Sequence, residues 1–174
     1  MKRPSPGESA SYYKYYISLT TGTDVLKSLK NQLAQIKKSF GSVPTNKQTF
    51  RYAKDKWSVK ELLGHITDAE RIFGYRALRI ARNDKTHLAG FEENYYVKNG
   101  GFDKRTMTSL LEEFTALRKA NIELFKNLDE KKLALKGTAN GSAVSVRALA
   151  YIISGHTIHH LDILKERYIS NFKK

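Results

Sequence analysis

Apolar residues along this chain recur mostly at three- and four-residue steps, the spacing of one face of an α-helix. Val25, Leu26, Leu29, Leu33, Ile36 and Phe40 keep that rhythm and predict a first helix from about Thr23 to Phe40. Thr23 is its expected N-cap and Gly41 its expected stop. A second helix is expected from Ser58 to Asn83-Asp84. Its stripe is Val59, Leu62, Leu63, Ile66, Ala69, Phe73, Ala77 and Ile80, and Ser58 with Glu61 forms a capping box. A third, from about Met107 to Leu128, carries Leu110, Leu111, Phe114, Leu117, Asn121, Leu124, Phe125 and Leu128, with Ser109 and Glu112 as a second capping box. The fourth opens at its cap, Ser145, and runs to about Tyr168.

The stretches between these helices differ in character. Residues 84–106, "DKTHLAGFEENYYVKNGGFDKRT", read as a long aromatic loop, and loops of that length in compact domains are often functional. "KKLALKGTANGSAVSV" alternates weakly around Asn140-Gly141, a dipeptide suited to a two-residue turn, so a short hairpin or extended loop should precede the fourth helix. Prolines stand only at Pro4, Pro6 and Pro44. The expected fold is therefore all-α: a four-helix bundle, up-and-down or crossover. One domain should span residues 1–174, with residues 1–22 as an N-terminal extension packed on the bundle. The aromatics of "YYKYYISL" also offer a surface for a homodimer.

Composition narrows the partners. The chain has no cysteine, which removes disulfides and thiolate metal ligands. No apolar run approaches the ~18 residues of a membrane span, and the first twenty residues lack the apolar core of a signal peptide, so a soluble cytoplasmic protein is expected. The net charge of +14, from 31 Lys+Arg against 17 Asp+Glu, favours an anionic partner or a solvated basic surface. The basic residues are scattered, densest at Arg71, Arg76, Arg79, Arg82 and Lys85, and form no nucleic-acid-binding module. A small-molecule substrate, in some form anionic, fits better.

Three of the five histidines crowd into "GHTIHH". Leu149, Ile153, His156, His160 and Ile163 follow one another at helical steps, so His156 and His160 share the inward face. At i and i+4 their Cβ atoms lie ~5–6 Å apart, close enough to converge on one ion. His159 pairs with His156 at i+3, but its face continues into Asp162 and Glu166. On the second helix His65 sits between Leu62 and Ala69 and also faces inward. Three unpartnered imidazoles in a core would cost several kcal/mol, and a shared cation removes that cost. His65, His156 and His160 are thus the expected metal ligands. His87, in the loop, reads as a surface residue.

At these residues the sequence resembles the DinB-like superfamily of metal-binding proteins, which includes bacillithiol transferases. The resemblance rests on Trp57-Ser58 opening a helix with His65 seven residues after the serine, on "GHITDAERIFGYRALR", on "GFEENYYV" and on "GHTIHHLDILKERY". It covers about residues 12–168. By position it assigns His65, His156 and His160 as ligands and leaves His159 free. It implies a four-helix bundle with the metal between the helices. Members include enzymes that transfer low-molecular-weight thiols and a mycothiol-dependent isomerase; many others are known only as metal-dependent hydrolases.

Three imidazoles without a carboxylate suit Zn²⁺, with Ni²⁺, Fe²⁺ or Mn²⁺ as alternatives, and leave a coordination position open. Two chemistries follow: hydrolysis by an activated water, or transfer of an exogenous thiol as its thiolate. The competing expectation is a non-catalytic module held together by its metal. Arg118, Asn121 and Tyr95 are the candidates for substrate contact, with Tyr96 and Asn94 beside Tyr95. Arg118 could hold an anion or simply pack its stem at the surface. Asp68 or Glu70 could orient a ligand histidine or stand exposed.

Overall fold

The computed structural model describes residues 1–22 and 24–172. Among them are seven α-helices: α1 (Lys14–Leu19), α2 (Val25–Gly41), α3 (Val59–Ala81), α4 (Glu93–Gly100), α5 (Met107–Lys126), α6 (Glu130–Leu133) and α7 (Val146–Ile163). The strands β1 (Lys136–Ala139) and β2 (Ser142–Ser145) form one antiparallel hairpin, with Lys136 opposite Ser145 and Ala139 opposite Ser142. Its turn has positive φ at both Asn140 (49°) and Gly141 (71°), the geometry a two-residue hairpin turn demands.

The four long helices are α2, α3, α5 and α7. Each of α2 and α3 packs against both α5 and α7, so α2 and α3 face each other across the diagonal. The bundle is therefore a crossover type: the chain between α2 and α3 passes over one end. All eight expected core positions of α3 are buried. The apolar residues fall into two clusters, one around Leu29, Phe73, Phe125 and Ile153 and one around Ile36, Ile66, Phe114 and Leu164. Between them every long helix contributes buried polar side chains: Gln32, Glu70, Arg118 and Thr157.

Caps explain most of the element boundaries. The capping box of α3 forms, with Ser58 Oγ accepting from Glu61 N and Glu61 accepting from Ser58 N. Ser145 Oγ caps α7 by accepting from Ala148 N. Four expectations need correcting. Thr23 lies outside the described residues; Asp24 is the cap of α2, accepting from Lys27 N. Gly41 is the last residue of α2 rather than the stop after it. Thr106, not Ser109, caps α5, and the buried face of α5 turns toward Thr115, Arg118 and Ile122, leaving Leu117 and Leu124 half-buried. Residues 84–106 are not one loop: Glu92 accepts from Asn94 N and Tyr95 N and starts α4 within them. Beyond Ile163, α7 continues as one π-helical turn, Leu164–Tyr168.

The N-terminal segment lies along α7. Glu8 accepts from Ser145 Oγ (2.7 Å) and Arg147 Nε (2.8 Å), and its carbonyl accepts from Ser145 N. Further on, α1 runs so close to α7 that a Cβ on Gly155 would stand 1.7 Å from Tyr16 O. Gly155 is the residue that lets the two backbones approach.

Candidate metal centre

α3 and α7 pack against each other, and His65 on α3 meets His156 and His160 on α7. The three Nε2 atoms form a near-equilateral triangle: His65 to His156 3.0 Å, His65 to His160 3.1 Å, His156 to His160 3.0 Å. The rings are almost fully buried, at 2%, 6% and 6% exposure. Burial pushes the His65 imidazole down to about 4, and holds His156 and His160 well below the ordinary value. All three are neutral at pH 7, each with one N–H and one lone pair.

That arrangement does not satisfy itself. A single N–H on one ring can serve only one neighbour, so three converging Nε2 atoms cannot all be paired. Three nitrogens bound to one ion at ~2.0–2.1 Å would stand about 2.8–3.4 Å apart for right-angle to tetrahedral geometry. The observed 3.0–3.1 Å falls within that range. The donor set therefore fits a divalent ion as it stands. The walls are aromatic: Trp57 lies 4.5 Å from His65 between ring centroids, Tyr16 5.4 Å and Phe73 6.0 Å from His156. His160 Nδ1 is buried without a hydrogen-bond partner among the described residues.

Two cavities of about 310 Å³ each flank the triad. The first is lined by His65 and His156 with Tyr13, Tyr16, Phe73 and Arg76; the second by His160 with Trp57, Tyr52 and Tyr168. Glu93, at the start of α4, lines both. Its partial burial raises its carboxyl above the ordinary value, and Glu92 adds to the effect.

Of the other nominated residues, Asn94 lines the second cavity, while Arg118, Asn121 and Tyr95 lie elsewhere. Arg118 is fully buried and every N–H is used: Nε and Nη2 donate to Glu70, Nη1 to Leu29 O and Gln32 Oε1, Nη2 also to Thr157 Oγ1, all at 2.7–3.1 Å. Asn121 joins the same network through Glu70 (3.2 Å). Arg118 and Asn121 thus line neither cavity, and Glu70 serves Arg118 rather than a histidine. Tyr95 is 65% exposed and also lines neither. His159 turns away from the triad, its Nδ1 3.5 Å from Tyr15 Oη, and His87 is exposed in its loop. Of "YYKYYISL", Tyr13 and Tyr16 turn inward to the first cavity, while Tyr15 stays exposed.

Sequence reasoning did not single out Arg76 or Glu93 as site residues. Arg76 had a readable signal: it stands eleven residues after His65, which at about 100° per residue returns it close to the same face of α3. Glu93 had none, because the helix that presents it starts inside an expected loop.

A family model described as the DinB superfamily matches residues 28–164. Among solved structures, YfiT from Bacillus subtilis superposes with a TM-score of 0.76 at 13% identity, covering 94% of this chain and 89% of its own. YfiT is described as a probable metal-dependent hydrolase with an unusual four-helix bundle topology. No curated protein matches the sequence.

Proposed function

The chain belongs to the DinB superfamily, and from that premise we propose that it is a metal-dependent enzyme acting on a small molecule. His65, His156 and His160 hold the ion through Nε2. The observation that carries this reading is the convergence of three neutral, buried nitrogens within 3.1 Å of one another beside open cavities. A structural ion would be enclosed by protein ligands; three ligands leave a position for water or substrate. Zn²⁺ suits the ligand set best, with Ni²⁺, Fe²⁺ and Mn²⁺ as alternatives. The ion supplies a Lewis acid, which makes a water or a thiol nucleophilic near neutral pH.

The protein's own groups do the rest. The aromatic walls of Trp57, Tyr16 and Phe73 keep bulk water from the triad. Glu93 lines both cavities and is the carboxyl placed to take up the proton released when the nucleophile forms. Hydrolysis is the version supported by the description of YfiT. Thiol transfer is the second version; it needs no protein cysteine, in agreement with a chain that has none.

One experiment separates them. Metal-loaded protein is given monochlorobimane with and without added thiol, and in parallel a panel of activated esters. Conjugation that requires thiol and vanishes in His65→Ala marks transfer. Ester turnover without thiol, lost in the same variant, marks hydrolysis. A metal-loaded protein inert to both, whose melting temperature collapses on chelation, would instead be the non-catalytic, metal-stapled module.

A further inference from the structure

Arg76 is a buried guanidinium that pairs with no carboxylate among the described residues. It lies on α3, is 2% exposed, and lines the first cavity together with His65 and His156. Its guanidinium rests 5.9 Å from the Phe73 ring centroid, donates through Nη2 to Ala89 O at 2.6 Å and also interacts with the Tyr13 hydroxyl, a neutral partner. No carboxylate among the described residues comes within ion-pair distance of it, whereas the buried Arg118 and the half-buried Arg147 both have one. A guanidinium cannot shed its proton to relieve burial, so it needs an anion. The two carboxyls that share the cavity are otherwise engaged or weakened. Glu92 spends its oxygens on Asn94 N and Tyr95 N at the start of α4. Glu93 is the group whose carboxyl burial pushes up.

We propose that this cavity binds a substrate carboxylate on Arg76, while the far end of the same molecule reaches the histidine triad. The inference rests on the metal-centre reading for that far end only. Geometry sets the ligand's length. Eleven residues separate His65 from Arg76, about 16 Å along the helix axis. Both side chains lean toward the N-terminus of α3, and the arginine reaches further back. The anion and the reacting atom therefore lie on the order of 10 Å apart, an extended chain of about eight carbons. A cavity of about 310 Å³ accommodates a molecule of that size. A monoanion is favoured over a phosphate dianion because Glu92 and Glu93 border the same space. Tyr12 and Tyr13 line the same cavity, with Tyr13 against Arg76.

The probe is 8-mercaptooctanoate, compared with the neutral 8-mercaptooctanol, titrated calorimetrically into the full chain with and without Co²⁺. Thiolate-to-cobalt charge-transfer absorption reports the far end independently. The acid should bind at least tenfold tighter than the alcohol, as a charge-assisted pair implies. Arg76→Met should abolish that advantage, and Arg76→Lys should keep part of it. Equal affinity of acid and alcohol, an advantage that survives in Arg76→Met, or no binding of either compound would overturn the assignment. If Arg76→Met fails to fold by circular dichroism, the wild-type contrast and Arg76→Lys decide. An acid preference without any charge-transfer band would leave the anion on Arg76 but overturn the placement of the far end at the triad.

Discussion

At the scale of the residue, the triad is defined by what burial does to imidazole. The ring of His65 is pushed down to about 4 from an ordinary 6.5 because charging it would strand a cation away from water. The unfolded chain therefore binds more protons than the folded one between about pH 4 and 6.5. Stability is fully present above the ordinary histidine range and is lost as pH falls through that window. For His65 alone the loss is on the order of 3 kcal/mol. Urea unfolding of chelator-treated protein should show a steep decline from pH 7 to pH 4.5, and a shallower one in His65→Gln. Identical slopes in the two proteins would mean that His65 is not a buried neutral ring. Arg76 and Arg118 make the matching point for permanent charge. Both are buried on inward faces, yet Arg118 has Glu70 and Arg76 has none.

At the scale of the element, four helices are registered by one polar layer. Arg118 on α5 ties together Leu29 and Gln32 of α2, Glu70 of α3 and Thr157 of α7. Thr157 adjoins His156, and Glu70 lies five residues after His65, so this layer fixes α3 against α7 just where the triad must meet. Arg118→Met should cost about 3–5 kcal/mol by leaving Glu70 buried and unpaired. The double variant Glu70→Leu with Arg118→Met should recover most of that loss; chemical denaturation measures both. Gly155 works at the same scale. Its Cβ would collide with Tyr16 O, which is backbone and cannot swing aside. Gly155→Ala should destabilise by about 1–3 kcal/mol. It should also release residues 1–22 to limited proteolysis while α7 itself stays protected.

The same element scale shows what the sequence could and could not convey. Helices α2, α3, α5 and α7 announce themselves because each buries a stripe at helical spacing and most carry a local cap. His65, His156 and His160 were legible for the same reason, since a histidine on an apolar stripe is visible without knowing which helix it meets. α4 was not legible: its eight residues "ENYYVKNG" bury only Val97, so no stripe exists to be read. Arg118 was legible only as an open choice between an inward anion holder and a surface stem, because its partner Glu70 sits on another helix and pairing between helices is invisible to periodicity. The diagonal placement of α2 and α3 belongs to the same class, because it depends on packing between faces that look alike in sequence.

At the scale of the whole molecule, the candidate site is built from separate stretches of chain. α3 and α7 supply the histidines. The N-terminal segment supplies Tyr12, Tyr13 and Tyr16, and α4 supplies Glu93. The hairpin supplies Asn140, held in place where Asn140 N donates to Leu88 O and Leu88 N to Thr138 O, each at 2.9 Å. The DinB superfamily match begins at residue 28, so the tyrosine wall lies outside it. Among the described residues no helix is long and apolar enough to cross a membrane. The claim on which everything else depends is that the triad holds a metal ion. Elemental analysis of protein purified without chelators tests it most directly, alongside His65→Ala, His156→Ala, His160→Ala and the control His159→Ala. The account predicts one divalent ion per wild-type chain, kept in His159→Ala and lost in the other three. A wild-type chain that binds no divalent metal, or triad variants that keep theirs, would contradict it.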